Sequence, residues 1–195
     1  MFEISVLFSL WAFIILMVGT PGPANLLAMS AGSKLGFYKC IPFNLGLTLG
    51  KILLNTAMGL GLGVLLVNFT TFQTTIKFIG AGYMIYLALK SWNTNIKNNE
   101  GKPNIGWKQG ILVHPLNPKA WVMTLIAWTE FGPQLGNFTV QFIVITSSFA
   151  LTQIFVHNLW SLLGAILSRS LSNSTILSRA LILITVAVIL WAVLI

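Results

Sequence analysis

A chain of 195 residues with 56% hydrophobic and only 7% charged side chains cannot clothe a water-exposed surface, because soluble domains carry about 25% charged residues. A bilayer is the solvent that accepts this mixture. Eleven Lys and Arg stand against three Asp and Glu, a net charge of +8. These bases sit singly between apolar stretches, so they read as a topology signal and not as a nucleic-acid surface.

Cys40 is the lone cysteine, the histidines are His114 and His157, and the acids are Glu3, Glu100 and Glu130. An intramolecular disulfide and a Cys-rich metal site are excluded. Little is left for a metal centre or a carboxylate dyad, and no metal or cofactor is expected. The N-terminus lacks a positive n-region and its apolar stretch runs past signal length, so the first span is expected to stay in the mature protein.

Apolar stretches of spanning length can be bracketed at about 4–28, 40–67, 72–92, 107–128, 138–167 and 175–195. A polar linker over 93–106, with Lys97, Glu100, Lys102 and Pro103, separates the third from the fourth. The predicted fold is an all-α membrane protein of six transmembrane helices, forming a single transmembrane domain over 1–195. Lys34, Lys39, Lys90, Lys97, Lys102, Lys108, Arg169 and Arg179 then fall on one side, against Lys77 with Glu3 and Glu130 on the other. That bias puts the basic side in the cytoplasm and both termini outside. Cys40 is expected at the cytoplasmic mouth of the second span, beside Lys39.

Three spans precede the linker and three follow it, so the second half enters from the opposite face. Halves of about 1–96 and 105–195 are expected to form a 3+3 inverted repeat, as in many secondary transporters. Trp92, Trp107 and Trp128 lie near predicted helix ends, where amphipathic rings suit the interface. Gly46, Gly50, Gly59 and Gly63 give the second span small-xxx-small spacing, which permits close helix packing.

The first span of each half is interrupted by a proline pair. Thr20-Pro21-Gly22-Pro23 is followed by Ala24-Asn25; Pro21 and Pro23 cannot donate to the carbonyls of Met17 and Gly19. His114-Pro115-Leu116-Asn117-Pro118-Lys119 likewise frees the carbonyls of Ile111 and His114. Bare carbonyls at membrane depth need protein or a wet cavity to receive them. The alternatives are a kink that only shapes packing and a Lys119 that snorkels to the interface.

On the second span Asn44, Thr48, Lys51 and Asn55 share one helical face. A charge at mid-span costs about 2.5–3.5 kcal/mol, which makes Lys51 a functional candidate. Open-helix carbonyls or a substrate carboxylate could face it, or the amine could be neutral. On the fifth span Gln153, His157 and Ser161 lie four apart, with Asn158 beside them. His157 could relay protons near neutral pH or make an interhelical hydrogen bond.

These residues resemble, over essentially the whole chain, the LysE/RhtB family of amino-acid exporters. Thr20-Pro21-Gly22-Pro23 with Asn25 is similar to its first-helix signature. Gly32 through Gly36-Phe37 matches the small-residue turn after it. Gly80 through Leu87 is similar to its third-helix stretch, and Gly110 with Asn117-Pro118-Lys119-Ala120 resembles its fourth-helix motif. The region Asn158-Leu159-Trp160 points to the branch linked to cysteine and O-acetylserine export. Lys51 stands outside the family pattern.

The resemblance implies export of small amino acids or their derivatives across a bacterial inner membrane, as antiport driven by the proton gradient. The implied partners are an amino-acid substrate, protons and the bilayer, with a homo-oligomer left open. The substrate or ion pathway is expected at Pro21, Gly22, Pro23, Asn25, Asn44, Lys51, Asn55, Asn117, Pro118, Lys119, His157 and Asn158. The chain has no Walker-type loop, and no nucleophile or metal cluster is visible for the alternative of a membrane-embedded enzyme. A membrane scaffold would leave the two proline-broken helices and Lys51 unexplained.

Overall fold

The computed structural model describes residues 3–90, 92, 105–170 and 174–194, and they are almost entirely helical. The first predicted span is in fact two helices, α1 (Ile4–Gly19) and α2 (Pro23–Leu35), which meet at 55°. The cause is local. Pro21 and Pro23 withhold two donors, Gly22 is fully extended (φ −162°, ψ 174°), and Pro23 opens α2 at the first position, where a missing N–H costs nothing.

Gly36 is the single residue between α2 and α3 (Phe37–Ala57), and its φ of 78° is one that favours glycine. α3 widens into a π-helical turn at Met58–Leu62, kinks where Gly61 takes φ 107°, and continues as α4 (Gly63–Asn68). α5 covers Thr70–Lys90. The predicted linker lies outside the described residues except for Ile105 and Gly106. A short α6 (Trp107–Ile111), a turn over 112–117 and α7 (Pro118–Ile126) then replace the predicted fourth span. α7 runs on through a π-helical turn, Ala127–Phe131, and a 3₁₀ turn, Gly132–Leu135. α8 (Phe138–Ser170) and α9 (Ser174–Leu194) complete the described chain.

Among the described residues, Phe37–Asn68 and Phe138–Ser170 are each long and apolar enough to cross a bilayer, and α1 with α2 qualifies as a bent pair. The other predicted spans fall short of that measure for visible reasons. α5 carries Gln73, Lys77 and several threonines, the α6–α7 stretch is broken, and the apolar part of α9 is the shorter run Ile176–Ala192. The outer surface is lined with bare apolar side chains such as Phe8, Leu60, Phe155 and Leu194, a surface suited to lipid.

The bundle is closed differently at its two ends. At the Gly36 end, helices touch backbone to backbone. A Cβ on Gly32 of α2 would lie 2.0 Å from the Ser161 carbonyl oxygen of α8, and one on Gly164 would lie 2.0 Å from that of Met29. Cβ atoms on Gly46 and Gly50 of α3 would meet the carbonyl oxygens of Trp107 and Ile111 at 2.2 and 2.1 Å. The predicted glycine stripe therefore does pack: Gly59 and Gly63 continue it against the Trp128 ring and Leu125. At the other end side chains interdigitate, with Leu10, Ile14, Leu54, Met58, Ile145 and Phe149 in one cluster. Leu27, Phe43, Leu47, Met84 and Ile182 form a second cluster at the glycine end. Between α1–α2, the 112–117 turn, α7 and α8, a small cavity of mixed polar and apolar lining falls where one packing mode gives way to the other.

Candidate functional site

The first break is held by its own side chains. The Thr20 hydroxyl donates to the Met17 carbonyl at 3.1 Å, and the Asn25 amide reaches back from α2 to the carbonyls of Val18 (2.7 Å) and Thr20 (2.9 Å). The expectation of a bare Met17 carbonyl is thus corrected, because the Thr20 hydroxyl covers it. Asn25, 4% exposed, is the residue that makes the carboxyl end of α1 tolerable at depth.

The second break is held from the opposite side. Asn117 is extended (φ −102°, ψ 112°), and its Oδ1 accepts the Lys119 backbone N–H at 3.1 Å, capping α7. The Asn117 N–H donates to the His114 carbonyl at 3.1 Å, and the Trp121 indole donates to that of Pro115 at 2.8 Å. The predicted free carbonyl at His114 is therefore occupied, while that of Ile111 faces Gly50. Pro23 and Pro118 both stand at the first position of a helix. They start helices; they do not kink continuous ones.

Lys119 joins the two breaks. Its ammonium donates to the Thr20 carbonyl at 3.0 Å and to the Thr20 hydroxyl at 2.8 Å, and its stem lies 3.1 Å from where a Cβ on Gly22 would be. A cation at the carboxyl end of α1 is well placed for the helix dipole.

Around this bridge, Asn25, His114, Asn117, Lys119, Gln153 and His157 line one cavity of about 20 Å³. That is room for about one water, against the roughly 300–1,000 Å³ of a ligand pocket. The His114 and His157 rings lie 5.3 Å apart, centroid to centroid. Both nitrogens of His114, Nδ1 of His157 and both amide atoms of Gln153 are buried without a hydrogen-bond partner among the described residues. His114 and Gln153 were missing from the predicted pathway. The signals that could have found them are His114's place in the broken stretch and Gln153's place one turn before His157.

The remaining predicted residues lie elsewhere. The Asn44 amide donates to Asn158 Oδ1 and to the Ser161 hydroxyl, both at 3.0 Å, and the Ser161 hydroxyl also reaches the Ala28 carbonyl at 3.2 Å. This ties α2, α3 and α8 together. Lys51, fully buried, donates to the Thr124 hydroxyl and to the Ala120 carbonyl (3.4 Å), with its ammonium 3.7 Å from the centroid of the Phe149 ring. Asn55 donates to the Lys51 carbonyl at 3.1 Å. Lys51 thus faces carbonyl, hydroxyl and ring, and braces α3 against α7 and α8 outside the cavity.

The motif glycines sit at the points of closest approach. Gly32 meets α8, Gly110 meets the Phe43 carbonyl, and Gly80 backs onto the Leu116 carbonyl in the second break. An uncharacterized membrane protein YrhP of Bacillus subtilis is 31% identical over 151 residues, 68% of this chain and 70% of that protein. An uncharacterized membrane protein of Vibrio cholerae is 23% identical over 82% of this chain and 80% of its own length. A cysteine/O-acetylserine efflux protein of Salmonella typhimurium is 23% identical over 82% of this chain and 83% of its own length. No solved structure matches significantly. A family model, LysE type translocator, matches residues 14–194, taking in both breaks and every motif named above, and the chain belongs to that family.

Proposed function

We propose that this transporter exports small amino acids or their derivatives across a bacterial inner membrane by proton-coupled antiport, and that its substrate sits between the two helix breaks. The observation that carries the reading is the Lys119–Thr20 bridge between the two breaks, beside the cavity that Lys119 lines. It pairs a cation with a helix-end carbonyl, the same two chemistries that an amino-acid zwitterion needs in exchange. The substrate carboxylate would take Lys119 together with the amino end of α7, and its ammonium would take lone pairs lining the cavity.

Six spans in a 3+3 inverted repeat, with both termini outside, form the proposed frame. A helix break with proline at the next helix's first position and an asparagine holding it occurs in each half, and the basic side chains gather on one side of the six stretches. Asn44, Asn158 and Lys51 are assigned a positioning role, since they tie together the helices that carry the breaks.

Purified protein in liposomes, tested with the twenty standard amino acids and O-acetyl-L-serine, decides the matter. Labelled substrate is expected to accumulate when an opposing proton gradient is applied. Lys119→Ala and Asn117→Ala are expected to lower transport per folded molecule at least tenfold. Unchanged transport in both variants, or none in the wild type, overturns the reading.

A further inference from the structure

We infer that the facing imidazoles of His114 and His157 form one site for which the substrate ammonium and a proton compete, and that this competition couples export to the gradient. The inference rests on the exporter reading and assigns its coupling residues. His114 and His157 are 2% and 1% exposed, and Gln153 is fully buried. Five of their polar atoms have no partner among the described residues. A buried donor or acceptor left without a partner is costly, so a cluster of them on one cavity marks atoms kept free for something that arrives.

The free atoms suit an ammonium. A neutral imidazole presents one lone pair, and the Gln153 carbonyl presents two. Acceptors from the second break and from α8 therefore meet the three N–H donors of an α-ammonium. The charged groups near the pair are Lys119 from α7, which lines the cavity, and Lys51 from α3, which lies outside the lining but close enough to act on the imidazoles through space. α1 and α2 contribute Met17, Val18, Gly22, Ala24 and Asn25 to the cavity, none of them titratable. Glu3 and Glu130, the acids among the described residues, are exposed and outside the cavity lining. A carboxylate entering this cationic site goes to Lys119, which turns its ammonium towards the histidines.

A proton uses the same lone pair. Its binding forms an N–H bond where the ammonium's hydrogen bond was, converts an acceptor into a cationic donor, and expels the ammonium. Loss of that proton on the other face restores the lone pair. One proton is bound as one ammonium is released, with no further reactant. An imidazole reached by water takes up its proton between about pH 5 and 8, so the proton enters when the cavity is open to solvent.

Exchange of the same amino-acid panel in liposomes tests the inference. In the wild type the apparent KM should be flat near pH 8 and rise as pH falls below about 6.5, approaching tenfold per unit, at constant maximal rate. In His114→Asn and His157→Asn, which keep an acceptor but cannot titrate, exchange should be weaker, its KM flat with pH, and gradient-driven accumulation lost. A wild-type KM that ignores pH, or variants that still accumulate substrate against the gradient, overturns the inference while the exporter reading stands. No exchange of any panel member overturns both. Should the variants fail to fold, proton release on adding substrate to wild-type protein in weakly buffered detergent at pH 5.5 decides: release is expected, and its absence refutes the competition.

Discussion

The two ends of the bundle solve one problem by different means. Lipid tails are as apolar as leucine, so helices in a bilayer gain nothing by hiding apolar surface from their surroundings and must associate through contact itself. At the Gly36 end, beside the cluster around Leu27 and Phe43, contact also comes from removing side chains: Gly32, Gly46, Gly50, Gly110 and Gly164 let backbones touch. At the other end, contact comes from meshing them, as Leu10, Ile14, Met58, Ile145 and Phe149 do. A meshed interface can lose a methyl group and settle. A backbone contact cannot accept one. The two ends should therefore tolerate change very differently, even though both are buried.

The largest expected effect follows at the glycine end. Gly32→Ala places a methyl 2.0 Å from a backbone oxygen, so α2 and α8 must separate. The cost should reach about 3 kcal/mol, the top of the usual overpacking range, read as a fall in melting temperature and loss of monodisperse protein. Gly82→Ala, with open space around it, should be neutral or stabilise by up to about 1 kcal/mol. Equal outcomes for the two would mean that the backbone contact at Gly32 is not what makes this end intolerant.

A smaller effect is expected at the meshed end. Ile14→Val removes one methylene from a fully buried side chain and should cost about 0.5–1.5 kcal/mol with transport retained. A loss as large as that of Gly32→Ala would mean that this end is no more forgiving.

The smallest perturbation asks which end faces the cytoplasm. Cys40 would have served from sequence alone, but it is fully buried, with its thiol donating to the Gly36 carbonyl at 3.3 Å. Tyr38 is 82% exposed. Tyr38→Cys in a Cys40→Ser background should react with an impermeant thiol reagent in inverted vesicles and poorly in intact cells. The reverse pattern would turn the bundle over.

Much of this was legible in the sequence. Apolar run length located the helices, and the spacing of Gly46, Gly50, Gly59 and Gly63 foretold a packed face, because both depend on neighbours along one helix. The breaks were legible as proline pairs, but not their repair. Asn25 reaching Val18, Asn117 capping Lys119, and Lys119 reaching Thr20 depend on local backbone geometry and on a partner 99 residues away. Lys51 looked like a site residue because a mid-span charge is costly. Only the packing of α3 on α7 and α8 reveals that Thr124, the Ala120 carbonyl and Phe149 receive it. His114 and Gln153 were passed over because a polar side chain's meaning lies in what faces it across the bundle.

Gly36 carries a mechanical consequence. A one-residue connector has two soft torsions, so α2 and α3 cannot slide independently. α2 is also held to α8 through Gly32 and Gly164, and α3 to α6 through Gly46 and Gly50. These four helices behave as a linkage with few degrees of freedom. The extended residues of the two breaks, Gly22 and Asn117, lie outside these glycine contacts, where α1 and α7 join the frame. The Lys119–Thr20 bridge joins those two breaks and is the one side-chain tie between them among the described residues, so the breaks are fastened to each other as well as to the frame.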